Sequence, residues 1–346
     1  MQLVINSYGT SLRRNGELFI IMVKDRKVEV AAKKIQSILI TTGVHFSSDV
    51  IKLANDYNID IVMLDKYGQP YGRFWNGKMG STAAIRRAQL LASDNIIGLE
   101  VVKNWTTTKL MNQKKHLEEL LKRRPGKEEQ FEPAISLIDN CILHLSSLNG
   151  NIKELGQKIL GIEGSAAALY WKVLGKLPPD EFKFEKRSHY PALDPANAMI
   201  NYAYGVLYSK VEKACIIAGL DPYIGFLHTD NYNKKSLVFD MIEPFRYYGD
   251  KVVMKLFTGR KCKKDMFYKS SSGVTTLEKL GKDLFIPIFN EYLEEKVKYK
   301  VKSSKIGKTR QIQRLNTIQA EAHTLANRLI GKETKDIPEI KEVEEI

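Results

Sequence analysis

Asn15-Gly-Glu-Leu-Phe-Ile-Ile-Met-Val23 decides how the first part of the chain reads. Asn-Gly is a strong two-residue turn signal, because both residues tolerate the positive φ of a tight hairpin. The run that follows, residues 18–23, is short and built from residues that pack well on a pleated surface. Comparable runs stand at Leu3-Val-Ile5, Val28-Glu-Val30 and residues 35–40 and 59–64, and Asp25-Arg-Lys27 reads as another hairpin tip. One helix interrupts them at residues 48–57, where Val50, Ile51, Leu53 and Ala54 share a face. Tyr67-Gly-Gln-Pro-Tyr-Gly72 reads as a turn.

Beyond about residue 80 the period changes from two to that of a helix. Helices are expected over residues 82–93, 99–121, 135–148, 151–174, 195–218, 251–257 and 276–297. Asp194-Pro195 marks a start, with Asp as cap and Pro at the first helical position. Residues 122–132, rich in charge, read as an exposed loop. The expected fold class is α+β: a small N-terminal β-rich domain over 1–80, then a larger all-α domain over 81–330. Residues 331–346 form an acidic tail, read as disordered because it can bury little apolar surface.

Composition narrows the function. The 346 residues carry 54 Lys+Arg against 40 Asp+Glu, a net charge of +14. That balance suits a polyanion, and nucleic acid is the commonest one. No long apolar run suggests a membrane span and no signal peptide is seen, so the protein is expected in the cytoplasm. Cys141, Cys215 and Cys262 stand far apart, which argues against a zinc finger or a disulfide scaffold.

Four residues could carry chemistry: Glu163 in Gly161-Ile-Glu-Gly164, His228 in Gly225-Phe-Leu-His-Thr-Asp230, and Asp240 and Glu243 in Phe239-Asp-Met-Ile-Glu-Pro-Phe-Arg246. One imidazole with several carboxylates suits a hard divalent cation such as Mg²⁺ or Mn²⁺. Asp240 and Glu243 lie three apart, on one face of a helix or on a turn before a helix that begins at Pro244. Either arrangement aims both carboxylates at one place, although such pairs are also common on solvated surfaces. Gly72-Arg-Phe-Trp-Asn-Gly-Lys78 only imitates a phosphate-binding loop, since Met79 stands where Ser or Thr would bind Mg²⁺. His116 and His144 lack ligand partners in sequence. Basic clusters, including residues 260–264 and 296–314, alternate with tyrosines able to stack on bases.

Gly-Ile-Glu163-Gly, Phe-Leu-His228 and Asp240-x-x-Glu243-Pro-Phe-Arg, in that order after a β-rich start, resemble the catalytic integrase subunit of CRISPR adaptation, a metal-dependent DNA endonuclease/integrase family. Arg86-x-x-Gln89 and Asp194-Pro-Ala-Asn197-x-x-x-Asn201-Tyr202 extend the resemblance, which covers residues 1–330. It implies Glu163, His228 and Glu243 as metal ligands, with Asp240 a neighbouring catalytic acid. It implies a homodimer and a small ferredoxin-like partner subunit, and the β-rich part, whose short edge strands need cover, is the expected dimer interface. It implies double-stranded DNA as substrate: 3′-hydroxyl ends of short fragments joined to the CRISPR repeat by transesterification. Arg86, Tyr170, Arg187, Asn201 and Arg246 are the candidate DNA contacts. Two other functions fit the residues: a metal-dependent nuclease on branched or single-stranded DNA, and a non-catalytic basic nucleic-acid-binding protein.

Overall fold

The computed structural model describes residues 2–24, 26–35, 37–57, 59–65, 67–68, 70–74, 82–228, 234–301 and 308–332. The imitation phosphate loop from Trp75, the turn at residues 229–231 and the acidic tail from residue 333 lie outside them.

Strands β1 (Gln2–Ile5), β2 (Thr10–Asn15), β3 (Leu18–Val23), β4 (Arg26–Ala31), β5 (Ser37–Ile40) and β6 (Val44–Phe46) come first. Helix α1 (Ser48–Asp56), β7 (Asp60–Leu64) and β8 (Pro70–Phe74) follow. Two four-stranded sheets result, ordered β4-β3-β2-β6 and β1-β5-β7-β8. The hairpin turn lies one residue beyond the Asn15-Gly16 signal: Asn15 pairs with Leu18, so Gly16 and Glu17 make the turn, and Gly16 supplies the positive φ. The Tyr67–Gly72 stretch is a turn only in part: Pro70 opens β8, an edge strand antiparallel to β7, where a missing N–H is tolerated. β2 and β6 were not expected, because their exposed faces are polar.

Phe19, Ile38, Ile40, Ile61, Val50 and Leu53 fill the core of this part. Leu39, Val62 and Leu64, pointing to the other face of the second sheet, belong instead to the helical core. β5 is thus buried throughout, which explains its unbroken apolar run.

The helical part contains α2 (Thr82–Ala92), α3 (Ile96–Lys122), α4 (Glu128–Ser147), α5 (Ile152–Leu174), α6 (Pro195–Ile217), α7 (Ser236–Met241) and α8 (Arg246–Thr258). Then come β9 (Phe267–Lys269), β10 (Thr275–Leu277), α9 (Lys279–Glu294), β11 (Lys296–Val301), β12 (Lys308–Gln313) and α10 (Arg314–Leu329). This part is mainly helical as expected, with two small antiparallel hairpins, β9–β10 and β11–β12, flanking α9. The charged stretch 122–132 is a loop only as far as Lys127, because Glu128 and Glu129 begin α4 and favour its N-terminus. α6 is the central helix, buried continuously from Ala196 to Leu207, and Asp194 Oδ1 caps it by accepting from Asn197 N at 2.8 Å.

The two cores are joined by close contact and by charge. Gly68, at φ +85°, sits against α6 so tightly that a Cβ on Gly205 would lie 1.6 Å from the Gly68 oxygen. Arg73 on β8 pairs with Asp60 and with Glu212 of α6, each at 3.1 Å, and donates to the Ser209 carbonyl at 2.5 Å. Removing it takes the ion-pair partner from buried Asp60, while Glu212 keeps Lys235 at 2.8 Å. Arg73→Ala is expected to cost about 3–5 kcal/mol of stability, read from denaturant unfolding.

Candidate functional site

Two buried side chains shape the loop that carries His228. Gln89 on α2 donates to the carbonyls of Asp221 and Ile224 at 2.9 and 2.7 Å and accepts from Asp221 N at 2.8 Å. Asp240, near the end of α7, accepts from three successive backbone N–H groups: Phe226 at 2.6 Å, Leu227 at 3.0 Å and His228 at 3.0 Å. Gly225 is needed just before them, since a Cβ there would stand 2.6 Å from that of Ser236 and 2.9 Å from Asp240 Oδ2. Asp240 Oδ1 also lies 2.6 Å from His228 Nδ1. Nδ1–H donates to this carboxylate, which fixes the ring and leaves the Nε2 lone pair for a ligand. Asp240 is thus a positioning residue: its oxygens are taken by the loop and the imidazole.

The other two acids meet elsewhere, around one cation. Glu163 comes from α5, and Glu243 opens a single 3₁₀ turn (Glu243–Phe245) with Pro244 inside it, directly before α8. Lys109 of α3 places its Nζ against Glu163 Oε1 and 2.6 Å from Glu243 Oε2. The second contact is an ion pair at an angle that leaves Glu243 Oε2 without a hydrogen bond, as is Glu163 Oε2. Arg246 Nε donates to Glu243 Oε1 at 2.8 Å, and its Nη2 donates to Tyr208 Oη at 3.0 Å. Burial opposes ionisation of Glu243, yet the Arg246 and Lys109 charges outweigh it and hold the carboxyl down to about 2. The same balance raises Lys109: desolvation disfavours its charge, and Glu243 and Glu163 more than restore it.

The structure brings two of the three expected ligands together. Glu163 and Glu243 converge, while His228 is linked to them through neighbours: its ring lies 6.2 Å from Phe239, which lies 4.9 Å from Tyr208, the partner of Arg246. Among the described residues, no three His, Cys, Asp or Glu side chains form a ready metal site. The donor chemistry nevertheless fits a hard cation. Two carboxylates share one positive charge, each keeps a buried oxygen without a hydrogen bond, and the imidazole is fixed with one nitrogen free of Asp240.

Three of the expected DNA contacts have interior partners. Tyr170 is fully buried, with its hydroxyl donating to Asp250 at 3.1 Å and meeting His116 Nδ1 at 2.8 Å. Asn201 is buried and held by Arg187 and the His189 carbonyl. Arg187 donates to Asn197 and Asn201 at 2.7 and 2.6 Å and lies over the Trp171 and Tyr204 rings. Interior partners hold Tyr170 and Asn201, and half-buried Arg187 is engaged by Asn197 and Asn201, so all three shape the wall. Arg246 is largely committed to Glu243 and two tyrosine rings, and Arg86 is the most exposed of the five. Arg314, placed in the basic run, is also interior, stacked 3.8 Å from the Tyr292 ring centre.

Sequence reading passed over Lys109, although its signal was present. On α3 it shares the buried stripe of Trp105, Thr106, Leu110, Gln113 and His116, and a lysine there needs a charged partner. His189, exposed beside Asn201, was also missed. Desolvation and the Arg187, Arg246 and Lys109 charges hold its imidazole down to about 4.

A family model described as CRISPR associated protein Cas1 matches residues 3–291. The CRISPR-associated endonuclease Cas1 1 of Archaeoglobus fulgidus is 33% identical over 313 residues, covering 87% of this chain and 90% of that protein. Among solved structures, a casposase bound to integration product superposes with a TM-score of 0.84 at 24% identity, covering 100% of this chain and 95% of the other. A Cas6-RT-Cas1–Cas2 complex gives a TM-score of 0.77 at 15% identity, covering 99% of this chain and 36% of that one.

Proposed function

The chain belongs to the CRISPR-associated Cas1 family and is a DNA endonuclease/integrase of CRISPR spacer integration; from that premise we propose that Glu163, Glu243 and His228 hold its divalent metal ion. The observation that carries this reading is the convergence of Glu163 and Glu243, from distant parts of the chain, on a single cation position. Mg²⁺ or Mn²⁺ suits two carboxylates and an imidazole, the imidazole favouring Mn²⁺ as an effective substitute. When bound, such an ion polarises a phosphoryl oxygen and lowers the pKa of a coordinated hydroxyl.

The protein's own groups do the rest. Asp240 keeps His228 in the tautomer whose Nε2 can act as ligand. Arg246 keeps Glu243 ionised and oriented. No side chain has to form a covalent intermediate, because phosphoryl transfer is served by positioning and charge. A 3′-hydroxyl oxygen attacks the phosphodiester directly, and the displaced strand leaves with a 3′-hydroxyl of its own. Glu163, Glu243 and His228 would hold such an ion between them, with His228 presented by the loop that Gln89 and Asp240 carry.

The substrate in this reading is double-stranded DNA, short fragments and the CRISPR repeat. The protein acts as a homodimer paired through the strands of residues 1–80 and with a small ferredoxin-like partner, a role consistent with a similar fold appearing in a Cas6-RT-Cas1–Cas2 complex. Lys296 and Lys298, exposed on β11, belong to the phosphate-binding surface. Replacing both with Ala is expected to flatten the salt dependence of DNA binding by about one unit of slope per lost phosphate contact. Filter binding across a salt series reads this, and an unchanged slope removes β11 from that surface. No helix among the described residues is long and apolar enough to cross a membrane.

The test of the reading is strand transfer: full-length protein with a short 3′-hydroxyl duplex, a plasmid carrying a repeat, and Mg²⁺ or Mn²⁺, with and without the partner subunit. Metal-dependent covalent joining is expected. Cleavage without joining supports a nuclease only, and binding with neither reaction supports the non-catalytic protein.

A further inference from the structure

Lys109 is an ammonium buried where the proposed metal belongs. It reaches Glu163 of α5 and Glu243 of the 3₁₀ turn from a third element, α3. With Arg246 it brings the local charge to zero, two carboxylates against two cations. A divalent ion added to that intact group would leave an excess of two positive charges in a pocket shielded from water, where like charges repel strongly. Two carboxylates left together with Arg246 alone would repel each other instead. Each state needs one strongly charged cation between the carboxylates, and the flexible four-carbon stem of a lysine allows the ammonium to yield that place.

We infer that Lys109 is an internal counter-cation: it holds Glu163 and Glu243 together in the metal-free protein, and the incoming divalent ion displaces it. The inference rests on the metal reading above and adds what that reading lacks. The carboxylate pair is preformed without metal, and metal affinity is set by exchange against a tethered charge. Only an ion carrying more charge than the ammonium has a clear electrostatic advantage in this exchange, so monovalent ions do not load the pair.

Mn²⁺ titration of the full-length protein by calorimetry tests the exchange, with thermal unfolding in chelator as a second readout. Lys109→Met keeps the stem and removes the charge. It is expected to bind Mn²⁺ roughly tenfold or more tightly than the unsubstituted protein. In chelator it should unfold at a lower temperature, and Mn²⁺ should restore the loss. Lys109→Arg, which keeps the charge, should show no such gain. A folded Lys109→Met that binds Mn²⁺ no more tightly overturns the inference. If that variant does not fold, a crystal of the unsubstituted protein with Mn²⁺ decides. Nζ out of contact with both carboxylates supports the exchange, and Nζ still bridging them overturns it. Glu163→Gln separates the two levels. If it binds Mn²⁺ as the unsubstituted protein does, the metal reading fails and takes this inference with it. If it loses Mn²⁺ while Lys109→Met gains nothing, only the exchange is wrong.

Discussion

Glu163→Gln and His228→Ala are each expected to lower metal-dependent joining of DNA ends by on the order of a thousandfold or more, while DNA binding stays within a few-fold. The two come from different parts of the structure, which makes their agreement informative. Glu163 is paired with Lys109, and its replacement removes one of the two charges that draw a cation to that place. His228 is only half-buried, and its ring contributes a nitrogen and one hydrogen bond to Asp240. Neither side chain is among the basic groups proposed to contact phosphates. Binding should therefore survive both changes, as measured by fluorescence anisotropy at fixed salt, while product on a denaturing gel disappears. A parallel loss of binding and joining for His228→Ala would remove it from the ligand set.

Asp240→Ala should behave differently, although it also abolishes joining. Its carboxylate serves three backbone N–H groups, those of Phe226 and Leu227 buried and that of His228 half-buried, and the imidazole, so truncation leaves those donors without an acceptor. At about 1–3 kcal/mol for each unsatisfied buried group, and with some relaxation of the loop, the expected cost is about 3–5 kcal/mol. His228→Ala, by contrast, should cost about 1 kcal/mol or less. Denaturant unfolding of the two variants separates the roles. Equal stability loss would mean that Asp240 does not hold the loop. Asp240→Asn refines the point, since it preserves shape but turns one acceptor into a donor facing N–H groups, and it should lose most of the same stability.

Much of the fold was legible because it follows from period and turn chemistry. α1 and the Asp194-Pro195 start of α6 stand where local signals put them, and the first hairpin turns one residue beyond its Asn15-Gly16 signal. What escaped reading was decided by tertiary placement. β8 contains Pro and Gly and looks like a turn, yet it is a strand because it sits at a sheet edge. α7 has six residues, too few for a period to show. α10 carries a helical stripe of Ile318, Ala322, Leu325 and Leu329, which the neighbouring basic run drew attention away from.

The site divides in the same way. Residue type and order singled out Glu163, His228, Asp240 and Glu243, but could not say which carboxylate faces the ligand and which is spent on backbone. That distinction depends on where residues 226–228 pass relative to α7. The interior partners of Tyr170, Arg187 and Asn201 escaped reading for the same reason: a tyrosine, an arginine and an asparagine in sequence say nothing about whether interior groups already satisfy them. The interior chain of His116, Tyr170, Asp250 and Tyr204 is a case in point. Burial pushes the Asp250 carboxyl up to about 6, despite hydrogen bonds from Tyr204 and Tyr170. Such a group favours the folded state below its unfolded pKa, and that contribution is lost as pH rises through 6.

The location of the metal is the most direct test of the whole account, because function, ligand roles and the exchange at Lys109 all depend on it. Crystals of the protein grown with Mn²⁺ and measured at the manganese absorption edge would show it by anomalous scattering. The account predicts one strong peak bonded to Glu163, Glu243 and His228 Nε2, with Lys109 displaced. A peak coordinated by other residues, or none at saturating Mn²⁺ in protein that joins DNA under the same conditions, would contradict it.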